Sequence, residues 1–154
     1  MITLIPTSQQ IERAKTLYDF YNLKNSITHG KSQIYGAIGE ILVMDFLKAE
    51  KKESYDYDLI FRGKTIEVKT KKVNSIPREN YNCSVSKHNT KQKCDVFIFV
   101  RVLTDFKKAW ILGAISQSDF FRKAKYRDTT DLDIKADGYH LPIRELKCIR
   151  KYKA

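Results

Sequence analysis

The sequence predicts an α/β fold in which a central mixed β-sheet is flanked by helices. Two segments, residues 8–23 and 33–49, repeat apolar side chains at the spacing of amphipathic helices. Residues 94–103 form a near-continuous apolar run, which is typical of a strand covered on both faces. Between these segments, residues 57–70 are rich in aromatic and β-branched residues around a central Arg62-Gly63, which favours a β-hairpin.

The first two helices follow from their caps and periodicity. Thr7-Ser8-Gln9-Gln10 resembles a capping box, so the first helix is predicted to begin at Ser8 and to end near residue 23. The polar segment 25–32 is predicted to be a loop. The second helix, 33–49, contains two glycines that lower helix propensity but permit close packing against a sheet. The apolar positions are Ile11, Ala14, Leu17, Tyr18 and Tyr21 in the first helix and Ile34, Ile38, Ile41, Leu42 and Leu47 in the second.

The hairpin is predicted to bring two carboxylates together. A two-residue turn at Arg62-Gly63 places Asp58 opposite Glu67. Directly opposed like charges destabilise a sheet by about 0.2–1 kcal/mol. A divalent cation between the two carboxylates would make their pairing favourable. Strand alternation puts Lys69 on the face of Glu67. The predicted register pairs Phe61 with Lys64, Ile60 with Thr65, Leu59 with Ile66 and Asp58 with Glu67.

An ammonium group beside two carboxylates meets the requirements of phosphodiester hydrolysis. Hard oxygen ligands hold Mg²⁺ or Mn²⁺, the metal activates water and clamps a phosphate oxygen, and a lysine orients or deprotonates the nucleophile. A solvated hairpin with ordinary surface charges is the alternative, because D-x8-E-x-K can arise by chance in a chain rich in charge. Glu40 shares a side of the second helix with apolar and small residues, and is either a further site residue or a helix-boundary residue.

The rest of the chain continues the alternation of strands and helices. The strand at 94–103 is expected to pair antiparallel with one at 109–115, and Ser116 or Ser118 is expected to cap the next helix. Because no repeat or linker divides the chain, we expect a single domain, residues 1–154, with its core at about 33–115. The other predicted segments are a short strand at 81–86, a polar basic segment at 87–93, a helix at 118–126, a loop at 127–138, a strand at 139–143 and a mobile basic tail at 150–154.

Composition narrows the class of partner. The chain has 154 residues, a formal charge of +11 and a pI near 9.5, which favours a polyanionic partner, with nucleic acid as the leading candidate. No amphipathic basic helix or membrane-spanning run stands out, so we expect no membrane association. The cysteines, Cys83, Cys94 and Cys148, are odd in number and widely spaced, so we expect reduced thiols. No signal peptide is recognisable, and a cytoplasmic location is expected.

The order of these elements resembles the PD-(D/E)XK superfamily of nucleases, which has the restriction-endonuclease-like fold. The matching residues are Tyr57-Asp58, Glu67-Val68-Lys69 and the helical segment Gly36-Ala37-Ile38-Gly39-Glu40. Tyr57 stands where the family usually has proline. The resemblance covers roughly residues 33–115, and the chain's size is similar to that of small phage or mobile-element enzymes, including Holliday junction resolvases.

The resemblance implies a role for each matched residue. Asp58 and Glu67 would ligate Mg²⁺ or Mn²⁺, with the backbone carbonyl of Val68 as an additional ligand. Lys69 would position or deprotonate the attacking water and stabilise phosphate charge. Glu40 would contact the metal through water or complete a second metal site. The implied activity is a metal-dependent DNA endonuclease, which we expect to act as a homodimer because both strands must be cut.

Basic and polar residues near the motif predict where a nucleic-acid backbone binds, and they would give binding a steep salt dependence. Two alternatives remain open: a protein that keeps the nuclease fold and binds nucleic acid without cutting it, and a nuclease that acts on RNA. A restriction-type enzyme would need base-reading loops, for which the chain has little extra length. A structure-selective junction resolvase suits a compact basic dimer, and general degradation of DNA is equally compatible. The predicted backbone contacts are Lys71, Lys72, Lys87, His88, Asn89, Lys91 and Lys93.

Overall fold

The computed structural model describes residues 1–24, 33–52, 54 and 56–153. The helices are α1 (Ser8–Lys24), α2 (Gln33–Leu47), α3 (Gln117–Lys123) and α4 (Ile149–Lys153). The strands are β1 (Ile2–Leu4), β2 (Glu50–Lys51), β3 (Leu59–Phe61), β4 (Lys64–Val73), β5 (Asn82–Ser86), β6 (Val96–Leu103), β7 (Ala109–Ser116), β8 (Lys125–Arg127) and β9 (Gly138–Pro142). Single-turn 3-10 helices cover Lys87–Asn89 and Ile143–Glu145.

The strands form two sheets. The larger sheet has the order β1-β7-β6-β4-β3-β2, in which β4 and β6 are parallel and the other neighbours are antiparallel. The smaller, antiparallel sheet has the order β5-β9-β8. Helices α1, α2 and α4 pack on one face of the larger sheet, while α3 and the smaller sheet pack on the other. The predicted α/β class, with a mixed sheet flanked by helices, is confirmed.

Strand alternation divides the buried side chains into two cores. Ile66 and Val68 point from β4 into the first core, under the helices. Phe97 and Phe99 point from β6 into the second core, where Phe97 stacks edge-on against Phe120 of α3 at 5.5 Å between ring centroids. Because Glu67 is in register with Phe97, its side chain lies on the second face.

The hairpin forms largely as the sequence predicts. The three pairs that flank the turn are Phe61 with Lys64, Ile60 with Thr65 and Leu59 with Ile66. The fourth predicted pair, Asp58 with Glu67, does not continue the ladder. The ladder ends at Leu59 because the backbone N–H of Asp58 donates to the Ile66 carbonyl at 2.8 Å, one position out of register. The predicted strand at 57–61 therefore begins two residues later than expected.

Helix α2 lies unusually close to β4. A Cβ atom placed on Gly39 would lie 1.9 Å from the side-chain oxygen of Thr70, so any larger residue at this crossing would force the helix or Thr70 to shift. The predicted capping box forms at the start of α1, where the Thr7 hydroxyl accepts from the Gln10 N–H at 3.1 Å and the Gln10 side chain accepts from the Thr7 N–H at 3.0 Å. The predicted bounds of both helices are confirmed within two residues.

Several elements differ from the sequence prediction. Strands β1, β2 and β8 were not expected, since runs of two or three residues are too short to show alternation and form by pairing with a neighbour. The basic tail is helical: α4 continues to Lys153, and Tyr152 packs against Phe61 at 6.0 Å between ring centroids. The loop predicted at 25–32 lies outside the described residues.

The remaining predictions are close to the observed elements. The strands at 81–86, 94–103, 109–115 and 139–143 appear as β5, β6, β7 and β9, and β6 and β7 form the expected antiparallel pair. Ser116 caps α3 by accepting a 3.2 Å hydrogen bond from the N–H of Asp119, and the helix ends at Lys123, three residues earlier than predicted. No helix among the described residues is long and apolar enough to cross a membrane.

Candidate active site

Three acidic side chains from separate elements interact at one end of the β3–β4 hairpin. Glu67 comes from the middle of β4, Asp58 from the residue before β3, and Glu40 from α2. Asp58 is the shared neighbour, since its charge acts on both Glu40 and Glu67. The predicted acids are therefore brought together, although they are separated by up to 27 positions along the chain (67 minus 40).

A side-chain hydrogen bond holds Asp58 in place. Its Oδ2 accepts from the Val68 backbone N–H at 2.8 Å. In an antiparallel ladder, the N–H and C=O of one residue point to the same neighbouring strand. The carbonyl of Val68 is therefore directed to the side of β4 on which Asp58 lies, as its predicted role as a ligand requires.

Glu67 belongs to a compact three-residue network. The residue is 8% exposed, and its Oε1 accepts from the Lys69 ammonium at 3.0 Å. Lys69 also donates to the side-chain oxygen of Gln92 at 2.8 Å, and the Gln92 amide donates to Glu67 at 3.3 Å. Gln92 is itself 8% exposed, and its backbone carbonyl accepts from Gln117 at 2.5 Å. Lys69 is thus held beside the carboxylate by two acceptors.

Glu40 has a second lysine as its partner. The ammonium of Lys51, on β2, lies 2.5 Å from Oε2 of Glu40. The close approach of α2 to β4 at Gly39 brings Glu40 to the sheet.

Burial and mutual repulsion keep two of these acids from ionising easily. Burial raises the pKa of Glu40 from 4.5 to about 7, and the negative charge of Asp58 adds to the effect, while Lys51 opposes it. Burial likewise raises the pKa of Glu67 from 4.5 to about 7, with the same contribution from Asp58 and an opposing one from Lys69. Perturbed carboxyl groups that are clustered in this way are characteristic of functional sites.

The donor set matches a hard divalent cation. Carboxylate and carbonyl oxygens are the ligands that Mg²⁺ and Mn²⁺ prefer, and a cation would relieve the repulsion that raises the pKa values of Glu40 and Glu67. Within the residues described, no three His, Cys, Asp or Glu side chains stand close enough to form a ready-made metal group. Binding an ion through these acids therefore requires their side chains to move closer together.

The predicted backbone contacts fall into two groups. Lys71, Lys72 and Asn89 line cavities between the two sheets. The others lie on the exposed segment that leads to β6. Lys87 forms an ion pair with Asp137 at 2.8 Å, so its charge is partly neutralised. The remaining members of this group are His88, Lys91 and Lys93, all with exposed side chains.

Three residues near the site were not predicted from the sequence. Lys51 lies in a run of charged residues and carries no local signal. Gln92 lies between two lysines of the basic segment 87–93 and carries no signal of its own. Arg101 had a detectable signal, because it interrupts the otherwise apolar strand Val96–Leu103.

The cysteines are free thiols, as expected. Cys83 and Cys94 are buried, and Cys148 is half-buried. Burial raises the pKa of both Cys83 and Cys94 to about 12, so these thiols are protonated near neutral pH and unreactive as nucleophiles. They are packing residues of the second core.

Comparison with known proteins adds no assignment to this geometry. No protein-family model and no curated protein sequence matches the chain.

Proposed function

We propose that the protein is a metal-dependent DNA endonuclease with a restriction-endonuclease-like core of the PD-(D/E)XK type. The observation that carries this proposal is the clustering of Glu40, Asp58 and Glu67 with Lys69 bonded to Glu67. Placing like charges together in a partly buried site is costly, and the ion pairs with Lys51 and Lys69 compensate for it only in part, because the pKa values of Glu40 and Glu67 stay raised. A bound divalent cation would provide the remaining compensation, and it would also attract an anionic phosphate substrate.

The order of the supporting elements favours the proposed core. Helix α2 carries one acid, the β3–β4 hairpin carries the others, and β4 is followed in the sheet by the parallel strand β6 and the antiparallel strand β7. Asp58 and Glu67 lie near the end of the hairpin at which β3 begins two residues later than predicted. This arrangement leaves the Asp58 side chain free of the ladder and directed to β4.

Each residue has a defined role in the proposed reaction. Asp58, Glu67 and the Val68 carbonyl would hold Mg²⁺ or Mn²⁺, with Glu40 as a further ligand through water or at a second position. The ion, when bound, supplies positive charge to the scissile phosphate and lowers the pKa of water. Lys69 orients the attacking water and offsets charge on the phosphate oxygens. The water oxygen bonds to phosphorus and its proton passes to solvent, while one P–O ester bond breaks and the departing sugar oxygen takes up a proton from water.

The substrate and assembly belong to the same proposal. A formal charge of +11 favours a polyanion, and DNA is the polyanion we propose. Cutting both strands of a duplex needs two sites, so we propose a homodimer. No described residue determines whether the enzyme selects a sequence, a junction or any accessible strand.

The test is a cleavage assay with matched variants. Supercoiled, linear, single-stranded and four-way-junction DNA would be offered with Mg²⁺, Mn²⁺ or chelator. We expect metal-dependent cutting, and a loss of at least about 100-fold in Glu67→Gln and Lys69→Met, which each remove one charge at the reacting centre. Glu12→Gln, on the exposed face of α1, is the matched control and should cut like the parent.

Each alternative has its own outcome in this assay. Undiminished cutting by both variants would place the active site elsewhere. Tight DNA binding without cutting under any metal condition would favour a non-catalytic binding protein. An RNA of the same sequence, tested in parallel, separates the third possibility, since cutting of RNA but not DNA would identify a ribonuclease.

A further inference from the structure

A trough runs between the two sheets and begins at the candidate active site. Its inner part is a cavity of about 210 Å³ lined by Lys69 and Asn89, among others. Its outer part is a cavity of about 560 Å³ whose lining includes Arg127 and His140. Both parts share four lining residues, so they are continuous: Lys71, Asn82, Ser84 and Arg101.

Arg101 is a buried cation without an acidic partner. It is 6% exposed, and its guanidinium donates to the Asn82 carbonyl at 2.8 Å and lies 5.6 Å from the centre of the Tyr81 ring. No carboxylate in the described part of the chain forms an ion pair with it. Burial lowers the pKa of Arg101, and Cys83 and Tyr81, but no carboxylate among the residues described, oppose this effect. A guanidinium has five N–H donors, and buried charges are ordinarily paired.

The neighbours of Arg101 increase the positive charge of the trough. Lys71 is in register with Arg101 on the adjacent strand, so the two cations point to the same face from backbones about 4.8 Å apart. Directly opposed like charges are unfavourable in a sheet. Partial burial lowers the pKa of Lys71, and repulsion from Arg101 lowers it further. An anion lying between the two cations would reverse the sign of this interaction.

The outer part of the trough has a further unsatisfied group. The Nε2 atom of His140 is buried and lacks a hydrogen-bond partner among the described residues. Arg127, on the same wall, is already neutralised by Asp131 at 3.2 Å and Asp133 at 2.7 Å. The unpaired positive charge of the trough is therefore centred on Arg101 and Lys71.

We propose that this trough binds the backbone of a DNA strand, with Arg101 and Lys71 as ligands of a phosphate beside the one that is cut. This inference rests on the proposed function for the identity of the strand. A strand is favoured over an isolated phosphate because the trough is far larger than one phosphate group and leads to Lys69. Asn82 and Ser84 supply neutral side chains along the same wall, which suits contacts to phosphate and sugar.

The experiment measures DNA binding in chelator, so that it does not depend on cutting. A fluorescent single-stranded oligonucleotide would be titrated with the full chain over a range of salt concentrations. We expect about a tenfold weaker affinity for Arg101→Gln and about a threefold to tenfold weaker affinity for Lys71→Gln. The slope of log K against log salt should fall by about 0.7 for each phosphate that a variant no longer neutralises. Lys107→Gln, an exposed lysine of the β6–β7 turn, is the control and should bind like the parent.

The outcomes separate this inference from the proposed function. Unchanged affinity and salt slope in both variants would overturn the proposal that the trough binds DNA, even if the parent cuts DNA. Weakened binding in both variants would support it, even if no metal supports cutting. Thermal unfolding checks that Arg101→Gln is folded. If it is not, Lys71→Gln decides the result alone, because its side chain is exposed.

Discussion

The side-chain carboxylate of Asp58 accepts a 2.8 Å hydrogen bond from the backbone N–H of Val68. This bond takes the place of a ladder bond where β3 has not yet begun. It satisfies a donor on β4 and at the same time brings a negative charge next to Glu67. The irregular end of the hairpin is therefore what assembles the acidic cluster.

Replacing Asp58 by Asn should separate the charge from the hydrogen bond. The amide oxygen can still accept from Val68, but the negative charge that raises the pKa values of Glu40 and Glu67 is removed. We expect Mn²⁺ affinity, measured by calorimetry, to fall by at least about tenfold, and cutting to fall with it. The melting temperature of the metal-free protein at pH 8 should rise, because like-charge repulsion is relieved.

Asp95 offers a contrasting control for this variant. Its carboxylate accepts from the N–H and hydroxyl of Thr65 at 2.9 and 3.1 Å, and it has no part in the acidic cluster. Asp95→Asn should lower the melting temperature and leave Mn²⁺ affinity unchanged. If the two variants behave alike, Asp58 has a structural role and the metal-site assignment is wrong.

Stability in chelator should fall as the pH rises. Because the pKa values of Glu40 and Glu67 are raised from 4.5 to about 7, the folded protein holds more protons than the unfolded chain in that window. Ionising these groups therefore costs stability between about pH 5 and 7. Each pKa unit corresponds to about 1.4 kcal/mol, so we expect the two groups together to lower stability by several kcal/mol, measured by thermal unfolding.

Glu67→Gln isolates this effect from other titrations. The variant lacks one of the two groups, so its melting temperature should fall less over the same pH range. Mg²⁺ should stabilise the parent more at pH 8 than at pH 5.5, since ionised carboxylates bind the ion. Parallel stability curves for parent and variant would contradict the raised pKa of Glu67.

Gln92→Ala tests the network that holds Lys69. Gln92 bonds to both Lys69 and Glu67, and its bond to Glu67 helps to keep that pKa from rising further. Without the Gln92 side chain, the acidic limb of the pH profile of the cutting rate should move to higher pH. The maximal rate should fall by about tenfold, because Lys69 is less well oriented. Gln9→Ala, on the exposed side of α1, is the control. An unmoved pH profile would exclude this role for Gln92.

Gly39→Ala tests the contact of α2 with β4. The added methyl group would lie 1.9 Å from the Thr70 hydroxyl oxygen, so the helix or Thr70 must move. We expect a loss of about 1–3 kcal/mol in the free energy of unfolding by denaturant. Gly36→Ala, on the same helix, meets nothing within 4 Å and should be stabilising by up to about 1 kcal/mol.

A second substitution checks the cause of this effect. Thr70→Ala removes the atom that Gly39→Ala meets most closely, so the double variant should recover most of the lost stability. If the double variant is no more stable than Gly39→Ala, then the cost arises from something other than the contact with Thr70.

Much of the fold could be predicted because its signals are local. The capping box at Thr7, the helical spacing in α2 and the two-residue turn at Arg62-Gly63 each depend on residues within a few positions of one another. The same turn geometry accounts for three correct strand pairs. The set of Asp58, Glu67 and Lys69 was recognisable for the same reason, since all three lie on one hairpin.

What the sequence alone determined is therefore the set of elements and the acidic residues on them. Only the tertiary structure decided that Asp58 leaves the ladder, that Lys51 and Gln92 become partners of Glu40 and Glu67, and that the smaller sheet covers Arg101. These contacts join residues that are distant along the chain. They arise from burial and packing of whole elements, which no local spacing encodes.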